Sequence, residues 1–90
     1  MTKLLTKYWR TGEFYLAAYL FARGAIVAGI HAENARIIFT FLDCFNRHRW
    51  CEEFKSGKPL IDARGYAYAI LTLREKGFDA LLEFYGAQQE

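Results

Sequence analysis

Ala25-Ile26-Val27-Ala28-Gly29-Ile30-His31 and Arg36-Ile37-Ile38-Phe39-Thr40-Phe41-Leu42 are the two stretches on which the fold turns. Both are rich in β-branched and aromatic residues, which suit a packed, pleated strand better than a helix. Glu33-Asn34 sits between them, and asparagine tolerates the positive φ that a tight hairpin turn requires. The pair predicts an antiparallel β-hairpin. Side chains alternate along a strand, so Ile37, Phe39 and Phe41 share one face while Ile38, Thr40 and Leu42 share the other. Neither face is built for water.

Outward from the hairpin, the chain punctuates itself as helices. Thr11 is placed to cap a helix running from Glu13-Phe14, and Arg23-Gly24 supplies a basic last turn with glycine just beyond it. Asp43 precedes a second helical stretch closing at Ser56-Gly57. After Lys58-Pro59, Asp62 can cap a third helix ending at Lys76-Gly77, and Phe78 to Tyr85 reads as a short fourth helix stopped by Gly86. The expectation is one α+β domain over residues 1–90, in the order α-β-β-α-α with a short C-terminal helix. Residues 1–10 carry no firm assignment, and residues 78–90 form the short helix and tail.

The first helix is apolar nearly all round. Phe14, Ala17, Ala18 and Phe21 make one stripe, and Tyr15, Leu16, Tyr19 and Leu20 cover most of what remains. Such a helix is buried on more than one side. In the third helix Tyr66, Ala69, Ile70 and Leu73 form the inward stripe, leaving Tyr68 and Leu71 over; Phe78, Leu81, Leu82 and Tyr85 take that role in the last. A two-stranded sheet is marginal alone and exposes two unpaired edges. A second copy pairing with the hairpin would give four strands. The expected partner surface is therefore Tyr15, Leu16, Tyr19 and Leu20 of the first helix with Ile38 and Leu42 of the hairpin, joining two copies or another protein.

Composition agrees with that picture. The 90 residues are 53% hydrophobic with a single proline, which excludes a disordered chain. Sixteen aromatic rings are many for one small interior, so some belong at an interface. Residues 1–51 carry seven Lys/Arg against three acids, residues 52–90 five against seven. An asymmetry this small is ordinary for a solvated surface. Met1–Arg10 has neither a long apolar core nor a small-residue cleavage pattern, so it does not read as a signal peptide. Phe14–Ile30 is short for a membrane span and is interrupted by Arg23-Gly24. Cys44 and Cys51, seven apart in one expected helix, are separated by roughly 10.5 Å at 1.5 Å per residue and cannot bridge. Unpaired thiols suit a reducing cytoplasm.

Few residues suggest chemistry. Cys44, His48 and Cys51 form the one cluster with metal-like spacing, but the cysteines lie too far apart on a helix to share a tetrahedral site, and a structural zinc needs about four ligands. The simpler reading puts Cys44, Cys51, Trp50 and Phe54 on a buried stripe. Arg47 falls within that stripe and must reach its rim or meet a carboxylate or phosphate. Arg47, Arg49 and Trp50, with Lys3, Lys7 and Arg10 beside Tyr8 and Trp9, mix basic and aromatic groups as single-strand nucleic-acid binders do. The acids Asp43, Glu52 and Glu53 crowd the same region, and no helix-turn-helix, zinc-finger or RNA-recognition signature accompanies it. There is no glycine-rich phosphate loop, no HExxH and no Gly-x-Ser-x-Gly, and Glu52 and Glu53 diverge by about 100° on a helix. The reading is a non-enzyme without a cofactor.

Thr11-Gly12-Glu13-Phe14-Tyr15-Leu16-Ala17-Ala18-Tyr19-Leu20, Gly24, and the strand ending Ile37-Ile38-Phe39-Thr40-Phe41-Leu42-Asp43 together resemble a group of small bacterial and phage domains of unknown function. The similarity continues through Phe54-Lys55-Ser56-Gly57 and Ile61-Asp62-Ala63-Arg64 to Leu73-Arg74, covering roughly residues 8–76. It implies a small accessory protein borne by a phage or mobile element, and it brings no catalytic residues with it. The functional expectation is a cytoplasmic, homodimeric interaction module that regulates or blocks another protein. The alternative is a small nucleic-acid binder using the basic and aromatic clusters.

Overall fold

A computed structural model describes residues 7–58 and 60–88. Six elements follow one another: β1 (Tyr8–Thr11), α1 (Phe14–Arg23), β2 (Val27–Glu33), β3 (Arg36–Leu42), α2 (Arg47–Ser56) and α3 (Ala63–Gln88). This is a small α+β structure of three helices and one three-stranded antiparallel sheet.

The expected hairpin is present, but it is not alone. The strand order is β1-β3-β2, with Tyr8 opposite Leu42, Thr11 opposite Phe39, and Ile30 also opposite Phe39. Residues 8–11, of which the sequence assigns only Thr11, and that as a helix cap, thus occupy one of the two hairpin edges that pairing with a second copy could have covered. Residues 1–6 of the N-terminal segment lie outside the described residues. The hairpin turn is Asn34-Ala35, one residue later than the Glu33-Asn34 expected, and both residues have positive φ, 52° and 64°. Two left-handed residues are what the right-handed twist of a two-residue hairpin loop demands.

Register decides which face is buried. Phe39 and Phe41 are wholly interior, aligned across the strands with Trp9, Thr11, Val27 and Ile30. α1 and α3 pack over this face, and α2 packs behind α1. Five consecutive α1 residues, Leu16 to Leu20, are buried, which a helix achieves only when it is flanked on several sides. Leu73 and Ala69 of α3, with Trp50 and Cys51 of α2, complete the core.

Helix ends follow the punctuation in part. Gly24 (φ 113°) and Gly57 (φ 75°) close α1 and α2 in the left-handed conformation, and their N–H groups return to carbonyls of the last turn. Asp62 caps α3, its Oδ1 accepting from the Gly65 N–H at 2.6 Å. Thr11 instead ends β1, and its hydroxyl accepts from the Glu13 N–H at 3.0 Å. α2 begins at Arg47 rather than just after Asp43.

The largest correction concerns the third and fourth helices, which are one. Gly77 is buried inside α3 and Gly86 lies within the same helix, so neither ends it. A Cβ at Gly77 would meet Ile37 Cγ2 at 3.5 Å and Phe39 Cζ at 4.0 Å, ordinary contact distances that leave room for a methyl. The glycine marks where the helix crosses the sheet, not where it stops.

These backbone states give opposite expectations for two substitutions. Ala35→Gly, which relieves a left-handed alanine, should raise the unfolding free energy from urea titration by about 1 kcal/mol. Gly24→Ala should lower it by a similar amount. Gly77→Ala tests helix continuity: a helical glycine with room for a methyl should gain about 0.5–1 kcal/mol, whereas a helix terminus would lose stability.

Candidate interaction surface

The metal-like cluster is dispersed by the start of α2. Cys44 is exposed in the loop before the helix, His48 lies on its outer side, and Cys51 is buried beneath it. Among the described residues no group of three or more histidines, cysteines or acids is placed to hold a metal ion. The expected apolar stripe of α2 keeps Trp50 and Cys51 but loses Cys44. Burial pushes the Cys51 thiol up from its ordinary range, although a contact from Arg47 pulls the other way.

The two basic and aromatic clusters do come together, through Trp9 and Arg47. The Arg47 guanidinium carbon stands 4.8 Å from the centre of the Trp9 ring. The same group donates to both carboxylate oxygens of Asp43, at 3.0 and 3.4 Å, and its hydrogen bonds hold the Asp43 carboxyl below the usual carboxylate range. Arg49 lies 3.9 Å from Glu53. Trp50 is interior, with the Arg23 guanidinium 5.4 Å above its ring. Lys7 is exposed, and Lys3 lies outside the described residues. Arg47 is therefore a rim residue bound to a carboxylate.

Arg10 has a different fate, one that linear sequence does not reveal. Register carries it over β3 to His31 and Glu33 of β2. Glu33 accepts from Arg10 and pairs with His31 Nε2 at 2.8 Å, and these contacts, the histidine's foremost, hold its carboxyl low. All three side chains are about half exposed on the sheet face opposite the helices. Ile38 and Leu42 share that face and are half-buried.

The expected partner residues of α1 divide sharply. Leu16, Tyr19 and Leu20 are at most 4% exposed, so they belong to the chain's own core and are not a surface for a partner. α2 and α3 supply the cover that a second molecule was expected to bring. Tyr19 is bound at both ends: its ring packs near Phe54 and Tyr66, and its hydroxyl donates to Glu53 Oε1 at 2.6 Å and accepts from the Leu60 N–H at 3.0 Å. Burial and the Glu53 hydrogen bond raise the phenol above its ordinary range. Only Tyr15 remains outside, 57% exposed.

What sequence reasoning misplaced is the outer side of α3. Ala80, Leu81 and Phe84 turn inward, whereas Phe78, Leu82 and Tyr85 join Tyr68 and Leu71 among the exposed residues. The signal was available: carrying the phase of Ala69 and Leu73 unbroken through Gly77 reaches Ala80 and Phe84. Breaking the helix at Gly77 reset that phase. Beside Phe78 a groove of about 560 Å³ opens between α1, β3 and α3, floored by Phe14, Phe39 and Leu73 and edged by Tyr15 and Arg74.

No family model, curated protein or solved structure matches this chain. Among the described residues no helix is long and apolar enough to cross a membrane, and α1 ends at Arg23 where the rejected span would have continued.

The cysteines allow a direct check of this geometry. A thiol-reactive dye should label Cys44 rapidly in the folded protein, and Cys51 only once denaturant opens the core. Cys44→Ser should remove the fast phase alone; a fast phase that survives would place Cys51 at the surface.

Proposed function

We propose that this protein is a non-enzymatic interaction module that works as a homodimeric accessory or regulatory protein. One observation carries the reading: Tyr68, Leu71, Phe78, Leu82 and Tyr85 are each 48–67% exposed along a single helix, α3. Apolar groups scattered singly over a surface need no explanation, but a contiguous patch of large ones marks a contact site. Aromatic side chains, three of these five, are enriched in such contacts.

A second patch would remain free for another protein once α3 is covered. Tyr8 and Ile26 are exposed at one end of the sheet beside half-buried Leu42, and Phe45 in the following loop is almost wholly exposed. A dimer carrying two such patches suits a protein that occupies the surface of a target. Of the groups in the nucleic-acid alternative, Arg10 and Arg47 each pair with a carboxylate and Trp9 stacks on Arg47, whereas Arg49 and Lys7 are exposed.

Light scattering on a size-exclusion peak tests the proposal. The expected mass is twice 10.5 kDa. Leu71→Lys with Leu82→Lys should return the mass to that of a monomer without altering the helical circular dichroism, because each lysine removes buried apolar area and places a charge in the contact. A wild-type protein that stays monomeric at roughly 100 µM, where even a micromolar complex forms, overturns the homodimer.

A further inference from the structure

The exposed residues of α3 have a spacing that says how two copies would meet. Tyr68, Leu71, Glu75, Phe78, Leu82 and Tyr85 are separated by 3, 4, 3, 4 and 3 positions. That is an unbroken heptad seam of a and d positions, with Tyr68, Glu75 and Leu82 at a and Leu71, Phe78 and Tyr85 at d. All six are exposed, and the seam lies opposite the inward stripe of Ala69, Leu73, Gly77 and Ala80. It runs for about 25 Å of helix. A helix that only needed to cover the sheet would not repeat a second apolar stripe on its solvent side.

We propose that α3 pairs in parallel with α3 of a second copy along this seam. The charges beside it fix both the occupant and the direction. Arg74 falls at g and Asp79 at e, five positions apart, and in a parallel pair the g residue of one helix meets the e residue five positions on in the other. Both side chains are exposed, and neither makes an ion pair among the described residues. A twofold pair joins each Arg74 to Asp79 of the second copy, twice per dimer. An antiparallel pair brings g against g and leaves these charges unmatched. Glu75, the lone polar a residue, then meets its own equivalent across the seam, with Arg74 of the second copy beside it to offset the like charge. A single polar a position sets register and limits the assembly to two strands at some cost in stability.

The area is that of a weak dimer. Three aromatic and two leucine side chains, each about half to two-thirds exposed, remove roughly 400–500 Å² per copy, which before the flanking residues are added lies below the roughly 600 Å² per partner of standard interfaces and in the range of weak ones. Pairing through α3 puts the two sheets on the outer sides of the dimer, with the Arg10–His31–Glu33 faces pointing away from each other.

This inference rests on the homodimer proposed above, and its test separates the two. Arg74→Glu and Asp79→Arg should each weaken the dimer about tenfold by sedimentation, since each creates two like-charge contacts. The double variant R74E/D79R should restore wild-type association, a rescue that no folding defect can produce. In a Cys44→Ser background, L71C thiols should cross-link readily under mild oxidation, because a d position meets its own equivalent only in a parallel pair. A dimer with no charge-swap rescue and no L71C cross-link overturns the parallel pairing and leaves the homodimer standing. A wild-type monomer overturns both.

Discussion

β3 is the constraint to which the rest of this structure answers. It is hydrogen-bonded along both edges, and two of its seven residues, Phe39 and Phe41, are sealed from water. A strand whose one face carries two buried phenylalanines needs a continuous apolar cover, at about 1.5–3 kcal/mol of burial for each ring. α1 and α3 provide that cover, and their positions then dictate where α2 can sit. Polar contacts also tie these helices together: Arg23 of α1 pairs with Glu53 of α2 at 3.1 Å, and the Tyr66 hydroxyl of α3 donates to the Tyr15 carbonyl of α1 at 3.1 Å. The Tyr19 hydroxyl, enclosed by the fold, joins α1 to Glu53 of α2 and to the backbone of Leu60 ahead of α3. Losing Glu53 would cost both the Tyr19 hydroxyl and the Arg23 guanidinium a partner, so this carboxylate helps to hold the helices in register.

Local chemistry was readable wherever the residue itself determined the geometry. The hairpin, the left-handed Gly24 and Gly57, and the Asp62 cap were all legible, because each follows from the backbone preference of one or two residues. The strand Tyr8–Thr11 was not. It is four residues long, contains Arg10, and exists because β3 offers an edge to a segment far away in sequence. Gly77 was misread for a related reason. A glycine that ends a helix and a glycine inside one look alike until the helix is seen to run on over Ile37.

The surface was harder to read than the core, and the errors had a common source. The sequence correctly makes α1 a helix buried on several sides, yet it does not say whether the cover comes from the same chain. Here it does, so Leu16, Tyr19 and Leu20 left the list of exposed residues and Phe78, Leu82 and Tyr85 joined it. Charge behaved similarly. Arg47 and Arg10 pair with carboxylates supplied four residues away or across the sheet, which the linear clusters do not reveal.

The strand order also carries a consequence for how the chain assembles. β2 and β3 are joined by a two-residue turn, so their pairing closes almost no loop. β1 must instead find β3 across about 30 residues that include the whole of α1 and β2. The entropy of closing that loop is recovered only after β3 has a partner on its other side and α1 has docked. β1 is therefore the natural last strand to arrive and the first to leave. Because Trp9 travels with it, departure also uncovers Arg47 and opens an unpaired edge on β3. The least stable end of the sheet is thus the one whose loss exposes a strand edge to other chains.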